Sequence, residues 1–562
     1  MIFQQAAPTI PLLLTGHGML RITGGKVFDP ANEINGEVRD LFVDSNGKFS
    51  DNFEGGKTID ASGMILFPGG VDPHTHVAGG AINFARAMTP EDHRWNKAFV
   101  RSQSRRSGLG GIAPTTFATG YLYAGMGWTT VNEAAVPVMS ARHTHEELND
   151  IPILDKTTLV LMANNEIMLD LLEAGNYERA KDVVAWYINA AKAFGVKAVN
   201  PGGVAAWKWG KDAKQVTSKI EGYDHLTPGK IVADLVRICN ELGLPHPMHL
   251  HCNNLGAPGN ITTTMETLKH LEGQRAHIAH SQFHAYGGAD WESMRSETAQ
   301  LAEFFNANPD ITTDAGAILF GDTITISADG PWQYLLYELT GRKWGNLDIE
   351  NETGCGIVPY TYQRTNIVNA VQWAVGLELM LLIKNPWQVF LSTDHPNGGC
   401  FWRYPEIIQL LMSADFRSEC IKKLPDNIKQ RITLPEIDRE YTLYEVAVLM
   451  SAGPARALGL SHKGNLGVGC DADIAIYEQD DDVEKMFSYP RYVVKGGEII
   501  IEEGHIRGTP DGREIIAQAT HNPDMDEFMR PLFEECYTMS FENYSVEIER
   551  LENPIISECG AV

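Results

Sequence analysis

Short apolar runs alternate with longer amphipathic stretches over most of the chain, from about Gly63 to Gly459. Each run ends in polar or glycine residues, a pattern that predicts β-strands alternating with α-helices. Because eight parallel strands with intervening helices most simply close into a barrel, we predict an α/β fold with a (β/α)8 TIM barrel. The eight strand candidates are MILFPGGVDPHTH, GWTTVNEAA, TTLVLMANN, GVKAVNPGG, HPMHLHCNN, AHIAHSQFH, ITTDAG and WQVFLSTDHPN.

The segments that flank this region have a different sequence pattern, with short β-like runs and no long amphipathic stretches between them. Residues 18–66 and 464–507 contain short β-like runs such as MLRITGGKVFD and YVVKGGEIIIEEG. We predict that they pair as one small β-sandwich domain into which the barrel is inserted. An insert from about Gly316 to Ala370 is too long for a simple crossover and is expected to cover the barrel mouth. The predicted boundaries are 1–66 and 461–510 for the halves of the β domain, 67–460 for the barrel, and 511–562 for an aromatic-rich docking tail.

The charge balance narrows the classes of partner. The 562-residue chain has 46 basic and 72 acidic residues, a formal net charge of −26. This charge argues against nucleic acid or an anionic membrane surface as the main partner. No apolar run is long enough to span a bilayer, and the apolar residues 10–14 lack the basic flank of a secretory signal, so a soluble cytoplasmic protein is expected. Arg101, Arg105 and Arg106 form a candidate patch for an anionic substrate, although a solvated loop is the commoner explanation.

The candidate chemistry lies at the carboxyl ends of the predicted strands, where barrel enzymes keep their active sites. His74 and His76 end the first strand two positions apart, so both imidazoles point to one side and are able to bind one metal ion. A lone HxH motif is weak evidence, because ordinary polar histidines also explain it. A second pair, His143 and His145, lies in an acidic stretch with a helical pattern, and we interpret it as structural.

Three later strand ends carry the same residue types. The fifth run contains His249 and His251, the sixth is followed by His280, and the eighth by Asp394. An aspartate in this place is able to bind a metal and to accept a proton from an attacking water, whereas its alternative role is a helix N-cap. Several strand ends that offer ligands in barrel order favour a metal centre over chance.

Lys197, at the end of the fourth run, is the unusual member of this set. An ammonium group beside two cations would be repelled, so we expect a neutral amine, which is able to add CO2 and form a carbamate that bridges two metals. The alternative is a lysine paired with Asp394 in a metal-free barrel. With two divalent cations, an activated water would attack an amide carbonyl, and Asp394 would pass the proton to the leaving amine.

Several segments, GMILFPGGVDPHTH, GVKAVN, HIAHSQ, STDHPN and LGVGCDADIAIYE, resemble the amidohydrolase superfamily, in the subtype with a carboxylated lysine. The resemblance implies a metal-dependent hydrolase of C–N bonds, two divalent metal ions and a carboxylated Lys197. Zinc is our first choice, although iron, manganese and cobalt also suit such ligands. His251 is preferred over His249 because the polar stretch CNN follows it. The implied metal ligands are His74, His76, Lys197, His251, His280 and Asp394, with Asp394 also the catalytic residue.

Further segments resemble the A subunit of formylmethanofuran dehydrogenase over nearly the whole chain, among them FATGYLYAGMGWTTVNEAAVP, RHTHEELNDIPILD, HLHCNNLGAPGN and VQWAVGLELMLLI. That family includes the alpha subunit of the bacterial formyltransferase/hydrolase complex, which TDHPNG and HCNNLG resemble more closely. The resemblance implies interconversion of an N-formyl furan-type C1 carrier, formylmethanofuran or formylmethylofuran, with formate and the carrier amine. It also implies that the chain works inside a multisubunit complex.

The resemblance bears on the substrate as well. Carriers of this family with polyanionic, glutamate-rich tails would give the patch of three arginines a role in substrate binding. Asn200, His249 and His284 are further candidates for contacts with the substrate. Two other functions stay open: a cyclic amidohydrolase of the dihydropyrimidinase or hydantoinase type, and a non-catalytic scaffold barrel. The six filled ligand positions argue against a purely structural role.

Overall fold

A closed barrel forms the centre of the protein in the computed structural model, which describes residues 19–53, 55–96, 98–211, 213–347 and 355–560; the apolar residues 10–14 lie outside these ranges. Eight parallel strands follow one another in chain order. A bridge between Thr75 and His395 joins the last strand end to the first, and His76 N donates to His395 O over 2.8 Å. The predicted fold class is confirmed. The strands are Gly70–Thr75, Trp128–Val136, Asp155–Leu161, Gly195–Val199, His249–His251, Ala276–Ile278, Ile311–Asp314 and Val389–Phe390.

All eight strand candidates correspond to barrel strands, but the first one is divided between two sheets. Met64–Pro68 joins a sheet formed by the chain ends, whereas Gly70–Thr75 begins the barrel. Glycine suits the junction because a Cβ on Gly70 would lie 2.6 Å from the ring of Trp128. The barrel strands are buried on both faces, as is usual for parallel strands covered by helices, and Asp155–Leu161 is buried throughout.

Helices cover the outside of the barrel. The helix Pro228–Glu241 begins with a proline in its first turn, and the Thr227 side chain accepts from Lys230 N, so two local signals define its start. The α-helices of the described chain are Gly80–Met88, Asp92–Trp95, Thr116–Met126, Ala141–Asn149, Glu166–Glu173, Tyr177–Ala190, Gly203–Lys208, Pro228–Glu241, Ile261–Lys269, Thr298–Ala307, Gly330–Thr340, Ile367–Leu382, Tyr404–Met412, Ala414–Ile421, Leu443–Ala447, Gly453–Leu458, Val483–Ser488 and Met525–Cys536. No helix of the described residues is both long and apolar enough to cross a bilayer.

Strands from both ends of the chain form one sheet of nine strands. The antiparallel pair Met64–Pro68 and Ile474–Glu478 joins the N-terminal half to the C-terminal half. The two flanking segments therefore pair as expected, while the exact domain boundaries stay predictions. The other strands of this sheet are Leu20–Asp29, Ile34–Val43, Phe49–Ser50, Lys57–Asp60, Tyr492–Lys495, Glu498–Glu502 and His505–Ile506.

The insert between the seventh and eighth barrel strands lies at the mouth of the barrel. Its antiparallel strands Gly321–Ser327, Gly345–Leu347 and Cys355–Tyr362 accompany the helix Gly330–Thr340. Asp329 caps this helix by accepting from Trp332 N over 3.1 Å. Because side chains of the helix and strands line the cavity described below, the insert forms one wall of the site.

The C-terminal tail packs on the barrel. Trp186, on the helix after the third strand, stacks with Phe541 and Tyr544 at ring-centroid distances of 5.7 and 5.6 Å. Its indole Nε1 donates to Asp526 over 2.7 Å, so the ring has both an apolar and a polar partner in the tail.

A buried charge cluster ties the tail and the terminal sheet to the barrel. Lys463 contacts three carboxylates, two of them at 2.8 and 2.7 Å, and its side chain is 2% exposed. Each carboxylate has at least one cation as a partner, which offsets the cost of removing the charges from water. The members of this cluster are Asp155, Asp471, Asp473, Lys463, Lys495 and Arg513.

Candidate metal centre

The barrel's carboxyl rim brings two histidines and an aspartate together. Nε2 of His74 and Nε2 of His76 each lie 3.1 Å from the same oxygen, Oδ1 of Asp394. Two imidazole nitrogens that converge on one carboxylate oxygen are a donor set for a divalent cation. Burial would raise the pKa of Asp394, but His74 and His280 hold it well below its ordinary value, so the carboxylate is charged.

The surroundings of His76 stabilise a positive charge on its imidazole ring. Its Nδ1 lies 3.0 Å from Oε1 of Glu133, and its Nε2 faces Asp394. Burial alone would lower the pKa of His76, yet Asp394 and Glu133 raise it to about 9. The other oxygen of Glu133 accepts from the backbone N–H of Val77 and Ala78, at 2.7 and 3.0 Å, which holds the loop after the first strand in place.

Lys197 projects from the fourth strand into the same space. Its side chain is almost fully buried, and Nζ lies 3.4 Å from Nε2 of His74. Burial lowers the pKa of this lysine from 10.5 to about 8, although Asp394 and Asp314 oppose the shift. The neutral amine, which is the form that reacts with CO2, is therefore more accessible near neutral pH than in an unperturbed lysine.

His251 and His280 complete the set of candidate metal ligands. Their ring centroids lie 4.8 Å apart, and His280 lies 5.1 Å from His74. Nδ1 of His280 is buried and has no hydrogen-bond partner within the described part of the chain. Both rings line the cavity, so the structure brings all six predicted ligands to one place.

His249 lies behind this set of candidate ligands, away from the cavity. Its Nε2 is 3.0 Å from Nδ1 of His74, and its Nδ1 is 3.0 Å from Nε2 of His246. It does not line the cavity, whereas His251 does. The two side chains point to the same side of the strand because they are two positions apart. His251 pairs with Val199 at the end of the fourth strand, whereas His249 pairs with Lys197 two residues earlier, so His251 lies further toward the rim.

Three residues at the rim have left-handed backbone conformations: Asn200, His280 and Asp394, with φ of 41°, 34° and 50°. Such a conformation is unfavourable for residues other than glycine, at an order of 1 kcal/mol each, and clusters where function requires it. Asn200 directly follows the fourth strand, and His280 and Asp394 lie shortly after the sixth and the eighth. The turn away from the strand therefore begins at the residues that carry candidate chemistry.

The cavity above these residues has a volume of about 320 Å³. Its floor holds the six candidate ligands and Glu133, and its walls are largely apolar and aromatic. The insert supplies much of the wall. Apolar and aromatic lining residues include Ile82, Phe283, Trp291, Trp332, Leu336 and Tyr360. A few polar groups on the floor beneath apolar walls are the usual arrangement of a small-molecule site.

Comparison with known proteins agrees with this architecture. A model of the amidohydrolase family matches residues 57–501. The chain belongs to the amidohydrolase family. It is a metal-dependent hydrolase of C–N bonds, as the sequence predicts.

Relatives of this amidohydrolase are similar over nearly their whole length. The chain is 42% identical over 552 residues to the protein FwdA of Methanocaldococcus jannaschii, covering 94% of this chain and 96% of that protein. It is 36% identical over 540 residues to the A subunit of the formyltransferase/hydrolase complex Fhc of Methylorubrum extorquens, with the same coverage of 94% and 96%. Of these two, the archaeal protein has the higher identity, although the sequence motifs favoured the bacterial branch.

A solved structure confirms the family at the level of the fold. The crystal structure of the complex FhcABCD from Methylorubrum extorquens with methylofuran contains a chain that superimposes with a TM-score of 0.91 at 35% identity, covering 97% of this amidohydrolase and 100% of that chain. An N-acyl-D-glutamate deacylase from Bordetella bronchiseptica, at 15% identity and a TM-score of 0.50, shares the fold alone.

The remaining predicted residues of the amidohydrolase lie in different places. Asn200 is buried at the edge of the site and donates to Asp329 over 2.9 Å. His284 stacks on His280 at 5.4 Å, and neither of its ring nitrogens has a hydrogen-bond partner among the described residues, but it does not line the cavity. His145 contacts Glu514 and the carbonyl of Ala191 at a distance from the site, in agreement with a structural role.

The patch of three arginines lies away from the cavity. The guanidinium groups of Arg105 and Arg106 lie over the rings of Phe99 and Phe117, at 5.8 and 4.9 Å, and Arg101 is exposed. None of the three lines the cavity. The geometry provides a packing role for two of them, and binding of a carrier tail stays a prediction.

Four residues that sequence reasoning missed belong to the centre: Glu133, Asp314, His277 and Asp329. Glu133 and Asp314 lie near the ends of the second and seventh strands, so the strand-end rule could have found both. His277 lies in the sixth strand, where its Nε2 is 3.1 Å from Oδ2 of Asp314. Asp329 lies in the insert, and no sequence signal links it to the barrel.

The residues present fit a pair of divalent cations. Imidazole, carboxylate and a modifiable lysine are suitable ligands for zinc and related metals, and the buried Nδ1 of His280 lacks another partner among the described residues. The carboxylate cluster of Asp155, Asp471 and Asp473 is a different case, because Lys463, Lys495 and Arg513 already neutralise it.

Proposed function

We propose that this amidohydrolase hydrolyses the formyl amide of a furan-type C1 carrier, reversibly, to formate and the carrier amine. The observation that carries the proposal is the meeting of all six candidate ligands on the floor of one cavity. Similarity over nearly the whole chain to a protein of a formyltransferase/hydrolase complex, and to a chain in a complex solved with methylofuran, supports the choice of substrate.

His74, His76, Lys197, His251, His280 and Asp394 would hold two metal ions, which we propose to be zinc. A neutral Lys197 would add CO2 at Nζ and lose one proton, and the resulting carbamate would carry a negative charge that suits a metal ligand. When bound, such a pair of cations lowers the pKa of water and polarises a carbonyl oxygen. The lowered pKa of Lys197, about 8, supports the modification.

The chain's own residues supply the proton transfer. Asp394, ionised in the structure, accepts a proton from the attacking water and delivers it to the nitrogen of the carrier. Water adds to the formyl carbon, the C–N bond breaks, and formate and the amine leave. Glu133 orients His76. The backbone at Asp394 is held by the side chain of Ser392, because the Asp394 N–H donates to Ser392 Oγ over 2.8 Å.

The aromatic cavity wall supports a furan ring as the part of the substrate that is bound. Trp291, Trp332 and Phe283 line the cavity, and aromatic faces bind flat rings well. We further propose that the chain acts in a multisubunit complex, because the related Fhc protein belongs to one. The partner subunits would then decide whether formate is released or condensed with the amine.

The test is formate release from N-formylated furfurylamine-type carrier by the purified protein with its copurifying subunits. We expect two metal ions per chain and formate release that a chelator abolishes and added zinc restores. D394N should bind carrier and lose turnover, whereas D310N, at an exposed position just before the seventh strand, should match the unmodified protein. Metal binding without formate release, together with hydrolysis of dihydrouracil, would replace the formyl carrier with a cyclic amide.

A further inference from the structure

Asp329 connects three separate parts of the site through one carboxylate. It lies in the insert, immediately before the helix Gly330–Thr340, and only 2% of its surface is exposed. Its Oδ2 is 3.3 Å from Nε2 of His251. Its Oδ1 accepts from Asn200 Nδ2 over 2.9 Å and from Trp332 N over 3.1 Å. Both oxygens are thus in use, toward the fourth strand, the fifth strand and the insert helix.

The contact with His251 decides which ring nitrogen is available to a metal. A neutral imidazole donates a hydrogen bond from one nitrogen and offers a lone pair on the other. Because an ionised carboxylate only accepts, Nε2 of His251 carries the proton, and the lone pair is left on Nδ1. The other oxygen, Oδ1, already accepts from Asn200 Nδ2 and Trp332 N, so Oδ2 is the oxygen that faces the ring.

We propose that Asp329 is a positioning residue that holds His251 in the tautomer and orientation required to bind metal through Nδ1. This inference rests on the metal centre of the proposed function. Partners of this kind, which donate to or accept from a ligand histidine, fix its tautomer and commonly change metal affinity by about 10- to 100-fold when removed.

The same carboxylate links the metal centre to the wall of the cavity. Trp332, Gln333 and Leu336 lie on the helix that Asp329 caps, and all three line the cavity. Asn200, the other partner, has a left-handed backbone and accepts from Asn253 Nδ2 over 2.8 Å. Loss of the carboxylate is therefore expected to alter metal binding first and the position of the substrate-facing helix second.

The experiment compares D329N and D329S with the control D322N. Because both oxygens of Asp329 accept, an amide must turn its NH2 group toward one of the donors. Serine retains the ability to cap the helix but is too short to reach His251. Asp322 is an exposed residue of the same insert whose carboxylate accepts from Thr361 Oγ1 over 2.7 Å.

Each protein is stripped of metal and titrated with Co²⁺ in the absence of carrier, and affinity is measured by competition with a chelator. We expect D329N and D329S to bind one of the two ions about 10- to 100-fold more weakly, with a changed cobalt absorption spectrum. D322N should match the unmodified protein in both measurements. KM for the carrier, measured for each variant beside the metal titration, reports the position of the helix separately from the metal.

Two results would overturn the inference. The first is wild-type affinity for both ions and an unchanged cobalt spectrum in D329N and D329S. The second is normal metal binding in D329S with a loss in D329N alone, since the loss would then come from the substituted amide rather than from the missing contact. Failure of the unmodified protein to release formate, with two ions bound, would contradict the proposed function and leave the result for Asp329 intact.

Discussion

Oδ2 of Asp314 lies 3.0 Å from Nδ1 of His74, so a carboxylate of the seventh strand holds a candidate ligand of the first. The same oxygen lies 3.1 Å from Nε2 of His277. Burial would raise the pKa of Asp314, but His74 and His277 keep it far below its ordinary value. The ring of His74 is thereby oriented with Nε2 toward Asp394, and the site rests on a second, fully buried layer of polar residues.

Replacing this carboxylate is expected to weaken the metal centre without removing a ligand. D314N should lower metal affinity by about 10- to 100-fold, since Nδ1 of His74 loses a charged acceptor. Chelator competition measures the effect. D310N is the matched control because Asp310 is exposed just before the same strand. Unchanged affinity in D314N would show that His74 needs no such support.

Substitution of His251 and of His249, two histidines of one strand, is expected to have different effects on the number of bound metal ions. H251A should bind one metal ion per chain instead of two, because it removes a ring that lines the cavity. H249Q should retain both ions and lose activity less severely, because His249 contacts His74 from behind. Elemental analysis of both variants tests this assignment. Loss of an ion in H249Q alone would reverse it.

The rate at which metal-free protein regains activity on addition of metal is expected to depend on CO2 and pH. The reactive form of Lys197 is the neutral amine, and with a pKa of about 8 its fraction rises as the pH increases from about 7 to about 9. At constant dissolved CO2, activation by metal should therefore become faster over this interval, and isotopically labelled CO2 should appear on the lysine. K197Q should show neither effect. Full recovery with CO2 excluded would contradict the carbamate.

The buried charge cluster is expected to govern stability rather than catalysis. K463M leaves three carboxylates with too few cations, a change that costs about 3 to 5 kcal/mol for a buried pair. The thermal midpoint at a fixed scan rate should fall clearly. K485M, which removes an exposed lysine paired with Asp480, should leave it unchanged. Equal midpoints in the two variants would show that the cluster contributes nothing.

The same cluster predicts the direction of acid sensitivity. Burial would raise the pKa of Asp155, but Lys463, Lys495 and Arg513 hold it well below its ordinary value. A depressed carboxylate pKa contributes stability that is present above about pH 4 and is lost as the pH falls toward the folded-state value. The unmodified protein should therefore lose thermal stability below about pH 4 more steeply than K463M, in which this linkage is reduced.

The barrel strands could be predicted from the sequence because each strand is one short continuous segment with its own apolar pattern. Eight apolar runs, each with polar residues at its end, predicted eight strands in the correct order, and the chemistry of His74, His76, His280 and Asp394 followed from their place at strand ends. Lys197 followed from its place at the end of the fourth run, and family resemblance added the choice of His251 over His249. These inferences need only residue types and their spacing, since side chains at the ends of parallel strands must meet at one rim.

Asp314, His277 and Asp329 show what spacing alone did not reveal. Asp314 contacts a residue 240 positions earlier, and Asp329 reaches His251 from an insert whose path over the barrel mouth no periodicity describes. The arginine patch is the converse case, since the fold places Arg105 and Arg106 against phenylalanine rings outside the cavity, while binding of a carrier tail by the patch stays a prediction. The sequence by itself determined which strands form the barrel and which side chains they offer at its rim. Only the tertiary structure decided which of those side chains support one another, because hydrogen bonds between distant segments depend on packing in three dimensions.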